Sequence, residues 1–333
     1  MDAGDVTGDG INDLVVGAPA DRVNLSYGLL SGSGDIGKVY VYPGGTLPAP
    51  NPTNFQTLNL NNSQVSLLTI GNNALFGYSV AVTEDMNGDG KKDILVGAPG
   101  YADLLGLLTK TGGAFLCLSG PGTTFPTIQN LQIPNFSLLG INLPLLNVIN
   151  GLLFGHSVDG LGDYNGDGFP DIVVGAPAGI DLSSLGGVLT GQVLGGQALV
   201  YYGNGNGVTT TIGTRLQASS TGLLGSAANL FGYKVKGVRN TSGLRTGDLL
   251  VSAPIGGLLP SLLSLNIRVG NLHVFKKKTS SPLSPVVADQ LLESPRAGGV
   301  LQLLNLLNLD ALFGNSMDNA YDLNCDGIND LVV

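Results

Sequence analysis

Four Phe-Gly pairs, at Phe76, Phe154, Phe231 and Phe313, stand 78, 77 and 82 residues apart. Gly-Ala-Pro triplets begin at Gly17, Gly97 and Gly175, and a Ser-Ala-Pro follows at Ser252, at spacings of 80, 78 and 77. Self-similarity at a fixed period means one structural unit repeated, each copy burying its apolar face against the next. Within a unit the register is tighter than between units. Each of these phenylalanines lies nine residues before the start of a polar loop, at Asp85, Asp163, Asn240 and Asp322.

Each unit reads as four short strands. In the second unit these are Tyr78 to Val82, Asp93 to Gly97, Gly113 to Leu118 and a weaker run from Thr127 to Ile133. Short length, β-branched and aromatic residues and glycine punctuation mark strands. A run as apolar as Asp93-Ile-Leu-Val-Gly is expected to be buried on both faces. Four-stranded antiparallel sheets repeated radially make a β-propeller, whereas many solenoid repeats are shorter, at about 20–50 residues. The expected fold is all-β, a single propeller domain over residues 1–333, with blades at 76–153, 154–230 and 231–312 and partial blades at 1–75 and 313–333. An acidic loop and a second strand occur at both ends, so the ring is expected to stay incomplete within this chain.

Composition agrees with tight turns rather than solvated helices: 52 glycines and 12% charged residues. A net charge of −9 leaves no basic footprint for phosphate, so no nucleic-acid partner is expected. Lys276-Lys277-Lys278 reads as a solvated hairpin end. The apolar stretches Leu138 to Leu153 and Val300 to Leu312 are interrupted short of about 18 apolar residues, so no transmembrane segment is expected. Met1 runs at once into an acidic loop, so no signal peptide is expected in this stretch. Cys117 and Cys325 form no CxxC pair and read as free thiols.

Four loops share one nine-residue pattern, with oxygen side chains at positions 1, 3, 5 and 9 and glycine at position 6. The donors are Asp5, Thr7, Asp9 and Asp13; Asp85, Asn87, Asp89 and Asp93; Asp163, Asn165, Asp167 and Asp171; and Asp322, Asn324, Asp326 and Asp330. Hard oxygens converging across a sharp turn suit Ca²⁺, which takes six to eight of them, better than Mg²⁺ with its rigid octahedron. The position-7 carbonyl of Ile11, Lys91, Phe169 or Ile328 and water would complete each shell. The loops lack the distal glutamate and flanking helices of an EF-hand. The plainer alternative is an Asp-Gly turn that binds nothing, but three carboxylates gathered in each of four loops repel one another without a cation. Twelve of the chain's 24 acidic residues lie in these loops, so about four Ca²⁺ would cancel most of the net charge. The corresponding stretch Asn240 to Asp248 keeps only its last carboxylate, with Arg239 and Arg245 nearby. It is expected to bind no calcium and to pair a guanidinium with Asp248.

Phe-Gly, then D-x-N-G-D-G-x-x-D, then D-[IL]-V-V-G-A-P resembles the FG-GAP repeat of integrin α-subunit β-propellers and their bacterial relatives, along essentially the whole chain. The resemblance implies a propeller, usually of seven blades, with calcium in the loop joining a blade's first two strands. It also implies an extracellular or cell-surface setting and work in adhesion or in binding a protein or other ligand. Thr7, the metal-poor loop at Asn240 to Asp248, and Ser252 depart from the pattern.

In an up-and-down blade the acidic loops share one end of the sheets. The long Leu- and Gly-rich insertions, Ala102 to Thr111, Gly179 to Gly196, Ile255 to Gly270, Phe136 to Leu153 and Leu301 to Leu312, gather at the other, either as a packed lid or as an apolar recognition surface. Catalysis finds no constellation: His156 and His273 sit at strand packing positions, and no GxSxG elbow occurs. Gly32-Ser-Gly-Asp-Ile-Gly-Lys38 imitates a phosphate loop, but Val39 stands where a magnesium-binding hydroxyl belongs. The function expected is a calcium-binding extracellular propeller for adhesion or ligand binding. The alternative is the non-catalytic module of a larger secreted, phospholipase-D-like hydrolase.

Overall fold

The computed structural model describes residues 1–27, 30–34, 36–45, 55–60, 74–101, 112–131, 133, 137–138, 141–142, 153–179, 196–209, 212–218, 230–239, 245–254, 270–278, 286–293, 313–320, 322–324 and 330–333. All regular structure among them is strand. The first unit contains β1 (Asp2–Gly4), β2 (Asp13–Ala18), an inserted hairpin β3 (Val23–Tyr27) and β4 (Leu30–Gly34), β5 (Lys38–Tyr42) and β6 (Gln56–Leu58). The second has β7 (Ser79–Val82), β8 (Ile94–Ala98), β9 (Gly113–Leu118) and β10 (Thr127–Asn130), followed by a small hairpin of β11 (Ser137–Leu138) and β12 (Ile141–Asn142). The third has β13 (Ser157–Gly162), β14 (Asp171–Ala176), β15 (Gln197–Tyr201) and β16 (Thr214–Gln217). The fourth has β17 (Val235–Arg239), β18 (Arg245–Ala253), β19 (Asn271–Phe275), β20 (Val286–Val287) and β21 (Gln290–Glu293). The last stretch gives β22 (Asp318–Asn319) and β23 (Leu331–Val332).

Each of the first four units forms an antiparallel four-stranded meander, in the orders β1-β2-β5-β6, β7-β8-β9-β10, β13-β14-β15-β16 and β17-β18-β19-β21. The short β20 crosses to the third unit and pairs in parallel with β16. The first unit has no Phe-Gly, yet Asp2–Gly4 pairs with Asp13–Val15 and supplies a first strand of three residues. The hairpin β3–β4 takes up Gly32 to Gly34, and Lys38 opens β5, so the phosphate-loop look-alike is strand on both sides. The inserted segments 102–111, 180–195, 255–269, 143–152 and 301–312 lie outside the described residues, and with them the choice between lid and recognition surface.

Strands β8, β9, β14 and β15 are buried at every residue, as the apolar runs predict for sheets covered on both faces. Successive side chains feed alternate cores, because a strand's residues point to opposite sides. Val96 joins Val15, Val39, Phe76 and Phe115 between the first and second sheets. Its neighbour Leu95 joins Leu116, Phe154, Ile172 and Val174 between the second and third. Val173 joins Phe231, Leu249, Val251 and Phe275 between the third and fourth. The phenylalanine that opens each unit thus fills the core it shares with the unit before. Inner strands stack in sequence, β1 on β7, β7 on β13, β13 on β17 and β17 on β22. This is a propeller of four-stranded blades.

Contact between backbones explains the glycines of the repeat. A Cβ on Gly17, Gly97 or Gly175 would stand 1.9, 2.0 or 2.1 Å from the carbonyl oxygen of Gly77, Gly155 or Gly232 in the next blade. The Gly of Gly-Ala-Pro and the Gly of the following Phe-Gly are therefore two halves of one seam. At the fourth seam Ser252 replaces the first glycine, and its Oγ accepts the Lys234 N–H at 3.0 Å. Just before each Phe-Gly, Leu75, Leu153 and Leu230 adopt φ of +58°, +62° and +56°. Each closes a tight turn in which its carbonyl accepts the N–H of Tyr78, His156 or Tyr233. Left-handed leucine costs about 1–2 kcal/mol, which burial of the following phenylalanine offsets.

Candidate metal-binding loops

The acidic loops connect the first and second strands of their blades, at the ends opposite the Gly-Ala-Pro seams. In the first three, the position-1 carboxylate gathers the turn around itself. Asp5 accepts N–H groups from Gly8, Asp9 and Gly10 at 2.7, 3.1 and 2.9 Å. Asp85 does the same with Gly88, Asp89 and Gly90 at 2.7, 3.1 and 2.7 Å, and Asp163 with Gly166 and Asp167 at 2.7 and 3.0 Å. The position-5 carboxylate accepts the position-7 N–H: Asp9 from Ile11, Asp89 from Lys91 and Asp167 from Phe169, at 2.8, 3.0 and 2.9 Å. Asn87 and Asn165 accept the N–H of Asp89 and Asp167, each at 3.1 Å. The residue enclosed by the position-5 turn is a glycine with positive φ: Gly10, Gly90 and Gly168 at +86°, +87° and +92°.

The ninth position is different. Asp13, Asp93 and Asp171 are fully buried. One carboxylate oxygen of each holds the position-2 N–H of its loop, from Val6, Met86 or Tyr164, at 2.7–2.8 Å. The other holds an N–H at the far end of the blade's third strand: Gly44 at 2.8 Å, Ser119 at 2.7 Å and Gly203 at 2.9 Å. Burial pushes the Asp93 carboxyl up to about 6 and the Asp171 carboxyl up to about 7, against the pull of these N–H groups.

Sequence reasoning missed Ser119. Its Oγ lies 3.1 Å from both oxygens of Asp89 and 2.8 Å from Asp93, so its single proton can be donated to either carboxylate. The other blades carry glycine or, in the fourth, Lys277 at that point, so no second serine marks it. Lys91, expected to offer its carbonyl, also sends its ammonium to the carbonyls of Gly120 and Gly122.

In the fourth blade Asn240 to Leu244 fall outside the described residues, as do the side chains of Arg239 and Arg245 and hence the expected guanidinium pairing. Asp248 accepts the backbone N–H of Lys277 at 2.7 Å, the same tie that the ninth aspartate makes in the other blades. The lysine run is engaged as well as exposed: Lys277 reaches Asp163 at 3.0 Å and Lys278 reaches Asp289 at 2.7 Å. In the last loop Asp330 accepts the N–H of Leu323 and Asn324 at 2.7 and 3.3 Å, while Asp326 and Ile328 are outside the described residues, as is Cys325. Cys117 is a buried free thiol.

By donor type the loops fit a hard cation, since each described one offers carboxylates, an amide or hydroxyl oxygen and a main-chain carbonyl within nine residues. Among the described residues no three Asp, Glu, His or Cys side chains converge tightly enough to hold a metal by themselves. The carboxylates are turned instead to backbone N–H groups and, at Asp163, to a lysine. The histidines serve packing: His156 lies between Tyr78 and Tyr233, with ring centroids 5.1 and 4.6 Å away, and His273 meets Phe231 edge-on.

The FG-GAP repeat family matches residues 1–42, 76–114 and 154–194. Integrin alpha-6 of Gallus gallus is 34% identical over 162 residues, 49% of this chain and 12% of the relative. Integrin alpha-7 of Rattus norvegicus is 33% identical over 181 residues, 54% of this chain and 12% of the relative. Integrin alpha-5 of Xenopus laevis is 26% identical over 254 residues, 75% of this chain and 19% of the relative. The aligned stretch thus spans less than a fifth of these relatives. Among the described residues no helix is long and apolar enough to cross a membrane. Repeats, seams and sequence agree: the chain carries FG-GAP repeats and is similar to integrin alpha subunits.

Proposed function

We propose that this chain is a calcium-stabilised, extracellular propeller that works by binding a protein or similar ligand in adhesion, on the face opposite the acidic loops, and catalyses nothing. The observation that carries the reading is the recurrence of one acidic turn in blade after blade, with a fully buried ninth aspartate in the first three, together with the similarity to integrin alpha subunits. The position-1, -3, -5 and -9 side chains and the position-7 carbonyl of each loop would hold the ion. Calcium would supply the positive charge that the gathered carboxylates lack, and would fix the loop that joins the first two strands. Burial of both histidines between blades supports binding over catalysis.

Thermal unfolding in millimolar calcium and in excess EGTA, with bound metal counted by native mass spectrometry, tests this. A site filled at 100 times its Kd adds about 2.7 kcal/mol, so close to four ions and a strongly calcium-dependent Tm are expected. An unshifted Tm with no ion bound would overturn the reading.

A further inference from the structure

The backbone N–H of Gly44, Ser119, Gly203 and Lys277 each donates to the ninth aspartate of its own blade. These four residues are therefore structurally equivalent. In three blades the position carries a hydrogen or a short hydroxyl side chain. In the fourth it carries a lysine, and that lysine extends across the blade boundary to the first carboxylate of the third loop, Nζ to Asp163 Oδ2 at 3.0 Å.

The placement is set by backbone as well as by a flexible side chain. The N–H of Lys278 donates to the carbonyl of Tyr164 at 2.7 Å. Gly247 lies so close to the third loop that a Cβ there would stand 2.6 Å from the Asp163 carbonyl and 2.9 Å from Lys277 Cδ. Among the described residues of the first three loops, Asp163 is the only carboxylate within ion-pair distance of a lysine. Asp85, its counterpart in the second loop, is held by N–H groups.

We infer that Lys277 is a tethered cation that competes with metal at the loop 163–171, so that the blade without a metal loop of its own lowers the affinity of its neighbour's. The inference rests on the calcium reading above. A divalent ion entering this loop must displace that ammonium, whereas an ion entering the loop 85–93 meets no such occupant. Metal binding at the third loop is thereby coupled to the contact between the third and fourth blades.

Tyr164 makes the test site-specific. It occupies position 2 of the third loop, where the others have Val6, Met86 and Leu323, and the chain has no tryptophan. Terbium luminescence excited through tyrosine, taken as the part that Tyr164→Phe abolishes, reports this loop, and calcium displacement of terbium gives its calcium affinity. Isothermal calorimetry gives all sites together. Lys277→Met keeps the aliphatic stem and the N–H to Asp248, and Lys277→Arg keeps the charge. Lys277→Met should tighten the Tyr164-reported site by about 3–5-fold, the scale of a partly exposed ion pair. Lys277→Arg should stay within about 2-fold of the natural chain. Equal affinity in the natural chain and Lys277→Met would overturn the inference while leaving calcium binding intact. Absence of both terbium and calcium binding in every variant would overturn the calcium reading itself.

Discussion

A buried imidazole with neither ring nitrogen hydrogen-bonded stays neutral, because protonation would strand a charge away from water. His273 is such a group: it is 2% exposed, both nitrogens lack partners among the described residues, and its ring abuts the edge of Phe231. Burial pulls its pKa from 6.5 to about 4. A base whose folded pKa is depressed contributes full stability above the unfolded value and loses it as pH falls towards the folded value. The protein should therefore weaken between pH 6.5 and 4 by up to about 3 kcal/mol on this account. Asp93 and Asp171, with raised pKa values, pull the opposite way as pH falls, so the natural chain alone does not isolate the effect. The difference between the natural chain and His273→Leu in urea melts at pH 7 and pH 4.5 does. The variant should gain relative stability on acidification, and a pH-independent difference would refute the assignment.

Strands and loops are tied together by the ninth aspartate, and this element-level role separates from metal binding at one place. The fourth blade's loop has lost the carboxylates of positions 1 and 5, where Asn240 and Leu244 stand, yet Asp248 keeps its bond to the N–H of Lys277. Asp248→Ala should therefore cost about 1.5–3 kcal/mol, the worth of a hydrogen bond to a charged group, and the loss should be equal in calcium and in EGTA. A loss that disappears in EGTA would make Asp248 a metal ligand after all. The loops and inner strands were legible in the sequence because their spacing is fixed: Phe-Gly, nine residues, then the turn. The anchor of the ninth aspartate was not. It lies 31, 26, 32 and 29 residues on, beyond insertions of varying length, and is Gly44, Ser119, Gly203 or Lys277. No distance recurs, and the residue is glycine in only two of the four. Likewise Asp2–Gly4 has too little apolar character to announce a strand, and pairs with Asp13–Val15 only because the loop between them brings it there.

At the scale of the whole molecule, each blade touches its sequence neighbours through one repeated seam, so stability is distributed like that of a linear array rather than held in a single centre. The seam depends on bare backbone at Gly97, where a Cβ would meet the Gly155 oxygen at 2.0 Å and Ser79 Oγ at 2.2 Å. Ser79 Oγ already donates to that same carbonyl at 2.8 Å, so it has no room to yield without breaking a bond between blades. Gly97→Ala should force the second and third blades apart and cost about 3 kcal/mol, at the upper end of overpacking penalties. The fourth seam has already adapted to a side chain, and Ser252→Gly there removes only the bond from Lys234, at about 1 kcal/mol. Hydrogen exchange locates the damage. In Gly97→Ala, protection should fall first in β7, β8 and β13, which flank the altered seam, while β18 and β19 keep theirs. A uniform loss across all four sheets would mean that the blades unfold as one unit, and a Gly97→Ala chain as stable as the natural one would mean that the seam is not held by close backbone contact.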